Sequence, residues 1–336
     1  MARTRSGDDV MLLGVLPSLD PEHVTSSQGF FSPYSWGASA GTPGRESTRM
    51  ATSVEDPADQ AVMFERLELP DTLIEYMVSG SGEPVLFTHG ALLSDVAVPL
   101  AAQKPLEGYQ LIGYRRRGYA ASDPRLAPEG TTIADMAADA AALLDHLGIH
   151  RAHIVGHSMG GIVSLQCAQA YPDRVGTLSL LEPPFGTDET AQAILPAVVM
   201  EPLEKYAAGD KAGAASQALE AVSDEHWRTH VSATVPGGVD RALSNADTFF
   251  QRDGAAVMGF EFGAEEAAKI DVPVLSMLGG ETPGTLYHEG RAFFHEWWGD
   301  NVEDFNLLGA NHLLPFQDPA GVAYALGDFL SRHALD

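Results

Sequence analysis

The chain is predicted to be an α/β protein with a mostly parallel central sheet covered by helices on both faces, and three observations carry that prediction. Short apolar runs alternate with segments of helical period, as at 131–147, 153–156 and 159–171. Such alternation is what parallel strand–helix–strand units produce. The run Val85-Leu86-Phe87-Thr88 is apolar at consecutive positions, so both faces of that strand need cover. Finally, the stretch 183–271 carries helical patterning and no convincing strand, which predicts a helical insertion between two sheet strands.

The elements follow in order from local chemistry. Residues 1–58 are rich in Gly, Ser, Pro and Thr, show neither the helical nor the strand period, and are expected to form a disordered or loosely attached extension. Residues 61–69 and 72–79 read as two strands joined at Pro70-Asp71. The strand 84–88 follows the break Gly80-Ser81-Gly82, and 110–114 is another short apolar strand. In 131–147, Ile133, Met136, Ala140, Leu143, Leu144 and Leu147 recur at helical spacing, Thr131 or Thr132 supplies a cap, and Gly148 ends the helix. Strand 153–156 runs straight into helix 159–171, and 177–181 is a strand. Helical segments are expected at 191–207 and 211–222, strands at 272–278 and 301–308, and a last helix at 319–333. The expected organisation is a core from 59–182 and 272–336 with a helical cap, 183–271, inserted between strands six and seven.

Composition narrows the function. Among 336 residues, 46 acidic side chains oppose 20 basic ones, a formal net charge of −26. Nucleic acid and anionic membrane surfaces are disfavoured partners, because both are bound through Lys and Arg. Cys167 is the one cysteine, so a disulfide within the chain and a cysteine metal site are excluded, and a cytoplasmic location is expected. The pairs His288-Glu289 and His295-Glu296 do not form H-E-x-x-H, and no Gly-x-Gly-x-x-Gly or P-loop occurs. Neither a metal nor a nucleotide cofactor is indicated.

The chemistry centres on Gly156-His157-Ser158-Met159-Gly160, a G-x-S-x-G sequence with a predicted strand before it and a predicted helix after it. A serine on so sharp a turn needs small neighbours, and the following helix aims its first N–H groups at any anion formed there. On these residues the chain resembles the α/β-hydrolase fold superfamily from about Ala61 to the C-terminus. The resemblance implies that His89-Gly90 opens an oxyanion loop, with the N–H groups of Ala91 and Met159 as donors. It implies that His312, in Leu308-Gly309-Ala310-Asn311-His312, is the general base. The loop Gly113-Tyr114-Arg115-Arg116-Arg117-Gly118-Tyr119-Ala120-Ala121-Ser122-Asp123-Pro124 also matches, although relatives usually carry Asp at Arg115 and Gly at Ala120. Its three arginines read as a solvated or salt-bridged turn.

Two carboxylates compete for the acid. The usual family position, after strand seven, holds Thr282, with Glu281 one step out of register. A second location, at the tip of strand six, is used by some lactonases and by haloalkane dehalogenases. There Glu182 ends an apolar strand ahead of Pro183-Pro184, where open α/β sheets place their ligands. Glu182 is the preferred assignment and Glu281 the alternative. The resemblance then implies a serine hydrolase of small hydrophobic esters or lactones, acting through an acyl-enzyme. Leu92, Phe185, Trp227, Phe250, Met258 and Leu313 are candidate substrate contacts. Homodimerisation is left open. Carbon–carbon bond hydrolysis, cofactor-free perhydrolysis and a catalytically silent ligand receptor are the alternative functions.

Overall fold

A computed structural model describes residues 63–122 and 130–335; the extension expected at 1–58 lies outside these residues. Eight strands form one sheet: β1 (Glu65–Glu68), β2 (Leu73–Gly80), β3 (Glu83–Thr88), β4 (Tyr109–Arg115), β5 (Ala152–His157), β6 (Val175–Leu181), β7 (Val274–Gly279) and β8 (Val302–Leu307). Their order is β1-β2-β4-β3-β5-β6-β7-β8. The first two strands form an antiparallel hairpin, closed by a Leu69 N–H to Thr72 C=O bond of 2.7 Å. β2 also meets β4 antiparallel, and every pairing from β4 through β3 to β8 is parallel.

Side-chain pattern explains the order. All residues of β5, β6 and β7 are buried, as central strands with helices on both faces must be. β8 lies at an edge and alternates half-buried with exposed positions along its middle. Helix α1 (Ile133–His146) starts in a capping box: the Thr132 hydroxyl accepts the Asp135 N–H, and the Asp135 carboxylate accepts the Thr132 N–H. Gly148, at φ 68°, reverses the chain after it. Helix α2 (Met159–Ala170) follows β5 with a single intervening residue, Ser158, and carries Cys167, buried in the core.

Between β6 and β7 the described elements are all helical: α3 (Asp188–Leu195), α4 (Glu201–Ala207), α5 (Lys211–Val222), α6 (Trp227–Thr234), α7 (Gly238–Ser244), α8 (Ala246–Thr248), α9 (Gly254–Met258) and α10 (Ala264–Ala267). The single helix expected over 191–207 is broken by a π-helical turn, Pro196–Met200, beginning at a proline that cannot supply an N–H. A second π-helical turn, Phe249–Asp253, joins α8 to α9. Both faces of the sheet pack against this insertion. Phe185, Phe260 and Phe262 join the core on one face, and Ala215, Trp227 and Val231 join the core on the other. Helices α11 (Leu286–Trp298), α12 (Leu314–Gln317) and α13 (Pro319–Arg332) complete the fold.

Candidate active site

Ser158 sits at the C-terminal end of β5 with φ 54° and ψ −129°. A non-glycine residue in this region stores about 1–3 kcal/mol and must be held there by its surroundings. Its own N–H bonds the Leu181 carbonyl of β6 at 2.8 Å, which ties the turn to the sheet and leaves the Met159 N–H as the first amide of α2. Close packing fixes the turn further. A Cβ on Gly160 would collide with the Thr88 carbonyl, so α2 lies against the end of β3 as only glycine allows.

His312 meets this serine from the loop after β8. Its Nε2 is 2.9 Å from Ser158 Oγ and its Nδ1 is 2.7 Å from Glu182 Oε2. With Nδ1–H donating to the carboxylate, Nε2 is free to accept the serine proton. Glu182 is fully buried at the end of β6, at φ 47°. Its second oxygen accepts the Gly279 N–H and the Thr282 hydroxyl, each at 2.6 Å. Thr282, at the position where the resemblance expects the acid, thus bonds the Glu182 carboxylate, while Glu281 is exposed. The structure brings Ser158, His312 and Glu182 together and leaves Glu281 outside.

Two aromatic neighbours of His312 carried no signal in the sequence. Tyr287 stacks on the His312 ring at 4.8 Å and 24°, and burial followed by the Glu182 charge raises its phenol pKa. His157 donates from Nε2 to the His312 carbonyl at 2.8 Å. Burial, then the neighbouring His312, lowers its pKa to about 3, so it is neutral.

The loop after β3 faces Ser158 from the other side. A Cβ on Gly90 would lie 2.8 Å from Ser158 Cβ, so only glycine lets this backbone approach Ser158 so closely. His89, fully buried and kept neutral chiefly by that burial, donates from Nδ1 to the Gly90 carbonyl at 2.7 Å. Ala91 follows, and Leu92, at φ 63°, has its N–H on the Tyr119 hydroxyl at 3.2 Å.

In the loop after β4 the arginine turn is the salt-bridged one of the two expected forms, and it is buried rather than solvated. Arg115, Arg116 and Arg117 are all buried and ion-paired. Arg115 reaches Glu75 at 2.8 Å and Asp95 at 2.7 Å, Arg116 reaches Asp253 at 3.0 Å, and Arg117 reaches Asp139 at 2.6 Å and Asp71 at 2.9 Å. Ala120, where the resemblance expects glycine, adopts a positive φ, 49°, and its N–H bonds Asn245 Oδ1 at 3.0 Å.

The candidate substrate contacts separate. Leu92, Trp227 and Leu313 are buried in the same apolar cluster. Phe250 is half-buried against Phe249 and Tyr206, with ring centroids 4.8 Å apart in each pair. Phe185 is enclosed by Phe262, Phe293, Phe294 and Trp297, a structural aromatic core. Met258 is 40% exposed at the end of α9. Among the described residues no group of three His, Cys, Asp or Glu side chains is arranged to hold a metal ion, and no helix is long and apolar enough to cross a membrane.

A strand–serine–helix turn, a histidine after the last strand and a buried carboxylate on one sheet define a class, and comparison with known proteins agrees. The family described as the alpha/beta hydrolase fold matches residues 83–319, and the chain belongs to it. Over 127 residues the chain is 39% identical to the dihydrolipoyllysine-residue acetyltransferase component of the acetoin cleaving system of Cupriavidus necator, a match covering 37% of this chain and 33% of that one. Over 125 residues it is 34% identical to 2-hydroxy-6-oxo-6-phenylhexa-2,4-dienoate hydrolase of Comamonas testosteroni, covering 34% and 42%. The matches thus span less than half the length of these relatives. Among solved structures, the enol-lactonase of Burkholderia xenovorans LB400 aligns with a TM-score of 0.65 at 18% identity, over 80% of this chain and all of that one, which is a likeness of fold.

Proposed function

We propose that this chain is a serine hydrolase that cleaves small hydrophobic carboxylic esters or lactones through an acyl-enzyme. The observation that carries this is the continuous relay from Ser158 Oγ to His312 Nε2 at 2.9 Å and from His312 Nδ1 to Glu182 at 2.7 Å. In the first step His312 takes the Ser158 proton as Oγ attacks the carbonyl carbon, and Glu182 stabilises the imidazolium. The tetrahedral oxyanion is received by the N–H groups of Ala91 and Met159. Collapse expels the alcohol, protonated by His312, and water attacks the acyl-enzyme by the same route in reverse. With a lactone, acid and alcohol remain in one molecule. The buried leucines flanking the site, Leu92 and Leu313, favour apolar acyl or ring groups over charged ones.

The test is labelling by a fluorophosphonate probe, followed by a panel of p-nitrophenyl esters and lactones with wild type beside Ser158→Ala. Labelling at Ser158 and activity lost by at least about 10³-fold in the variant are expected. Ester hydrolysis by Ser158→Ala at the parental rate would refute the proposal. The 34% identity to a hydrolase of a dienoate supports a second reading, carbon–carbon cleavage of a vinylogous diketone on the same three residues. Turnover of such a substrate and of no ester or lactone would favour it.

A further inference from the structure

We propose that Arg116 and Asp253 are positioning residues that aim the oxyanion donor of Ala91, so that the helical insertion sets the geometry of the chemical step as well as covering it. This rests on the assignment of the Ala91 N–H as an oxyanion donor made above. The peptide between Gly90 and Ala91 carries the donor. It is trans, so its C=O and N–H point in opposite directions, and whatever fixes the Gly90 oxygen also aims the Ala91 hydrogen. That oxygen accepts from His89 Nδ1 at 2.7 Å and from Arg116 Nη2 at 3.0 Å. The preceding carbonyl, of His89, accepts from Arg116 Nε at 3.2 Å, and the Arg116 N–H donates to His89 Nε2 at 2.9 Å. One guanidinium, fully buried, thus holds two successive carbonyls of the loop that abuts Ser158.

The far side of that guanidinium belongs to the insertion. Nη1 and Nη2 donate to the two oxygens of Asp253 at 3.2 and 3.0 Å, and Asp253 is itself buried in the π-helical turn between α8 and α9. The same carboxylate accepts the Tyr119 hydroxyl, whose oxygen accepts the Leu92 N–H at 3.2 Å. Asn245, at the end of α7, donates to the Leu92 carbonyl at 2.8 Å. Ala91 is therefore pinned from the residue before it and the residue after it, and both pins meet at Asp253. A guanidinium suits this task because its planar fork keeps several donors in fixed directions. Stability alone is a weak reason to bury such a pair, since desolvation offsets much of its attraction.

The test compares kcat with KM for p-nitrophenyl butyrate, and with the second-order rate of fluorophosphonate labelling, whose phosphonyl oxygen needs the same donors. Arg116→Lys keeps the charge but not the fork; it is expected to lower kcat and the labelling rate together by about 10- to 100-fold, with KM within about twofold. Asp253→Asn and Tyr119→Phe are expected to lower both by about 3- to 10-fold. Arg117→Lys is the control for a merely structural pair: it reaches Asp139 and Asp71, bonds no loop carbonyl, and is expected to lower the melting temperature while leaving kcat unchanged. Should Arg116→Lys fail to fold, Tyr119→Phe decides, since it removes one oxygen and leaves the ion pair. Folded variants with parental kcat, a rise in KM at constant kcat, or an equal loss of kcat in Arg117→Lys would each overturn the proposal. Wild type that neither labels at Ser158 nor turns over ester would instead overturn the hydrolase assignment, and the positioning role with it.

Discussion

On one side of Ser158 the loop after β3 is held by a charged group, Arg116, gripping backbone carbonyls and answered by Asp253 137 residues away. On the other side His312 is held by Glu182, whose remaining oxygen is satisfied by a backbone amide and a threonine hydroxyl. The difference follows from what each wall presents to the serine. A backbone N–H can be aimed only through its own peptide, so the oxyanion wall needs donors on carbonyl oxygens. An imidazole is aimed through its other nitrogen, so the histidine wall needs an acceptor there. Each wall ends in a carboxylate, but Asp253 acts through an arginine and a tyrosine, whereas Glu182 touches the base directly.

The sharpest way to break this comparison is to remove the charge of Glu182. Glu182→Gln keeps the shape but leaves His312 facing an amide, so the tautomer that accepts the serine proton loses its partner. A fall of about 10³- to 10⁴-fold in kcat is expected, against less than about twofold for the exposed Glu281→Gln. A larger loss in Glu281→Gln than in Glu182→Gln, measured on one ester at saturation, would move the acid to the loop after β7. It would also leave the histidine wall without its direct carboxylate.

The two walls also share a pH dependence through two neutral histidines. His89 on the oxyanion wall is held well below its ordinary pKa, first by burial and then by the Arg116 charge, against the opposing bond to Gly90. His157, beneath both walls, is lowered to about 3, first by burial and then by His312. In the unfolded chain both protonate near pH 6.5, so the unfolded state binds more protons below that value. Their contribution to stability is complete above about pH 6.5 and is lost as pH falls below it, for His157 down to about 3 at up to about 1.4 kcal/mol per pH unit. Urea unfolding between pH 4.5 and 6.5 should show a slope smaller by about one proton in His157→Asn than in wild type. Equal slopes would mean that His157 is charged in the folded protein.

How far the sequence foretold these walls divides along the same line. The serine turn and the histidine loop were legible because their requirements are local: small residues about Ser158, and a strand end before His312. Glu182 was legible because a carboxylate ending an apolar strand is conspicuous. The insertion was legible as helical, yet its breaks were misplaced, because Pro196 starts a π-helical turn inside what the period reads as one helix. The three arginines were read as a turn. Their burial depends on Glu75, Asp95, Asp139 and Asp253, partners up to 137 residues distant that no periodicity connects. The available signal was statistical: three of 20 basic residues stand consecutively in a chain of net charge −26, where each has many carboxylates to find. Phe185 and Met258 show the converse, since an apolar side chain in the insertion carries no mark in sequence of whether it faces substrate, core or solvent.

The smallest expected effect tests whether the histidine wall depends on Glu182 alone or also on what holds Glu182. Thr282 stands where relatives keep their acid, and here its hydroxyl donates to Glu182 Oε1 at 2.6 Å beside the Gly279 N–H. Thr282→Val is nearly isosteric and leaves the backbone amide in place, so the carboxylate loses one of two donors on that oxygen. The loss works in opposite directions. An oxygen freed of a donor is a stronger acceptor overall, which would favour the imidazolium, but a carboxylate less firmly held can rotate away from the 2.7 Å contact with Nδ1. Glu182 reaches His312 through a side chain one methylene longer than Asp, with more rotamers to restrain, so orientation should outweigh basicity. A fall of about 3- to 10-fold in kcat at unchanged KM is expected, a fraction of the about 1.5–3 kcal/mol of a hydrogen bond to a charged group, because the Gly279 N–H still holds the same oxygen. An unchanged or raised kcat would mean that Gly279 alone suffices, and that Thr282 is packing at a position the acid has left.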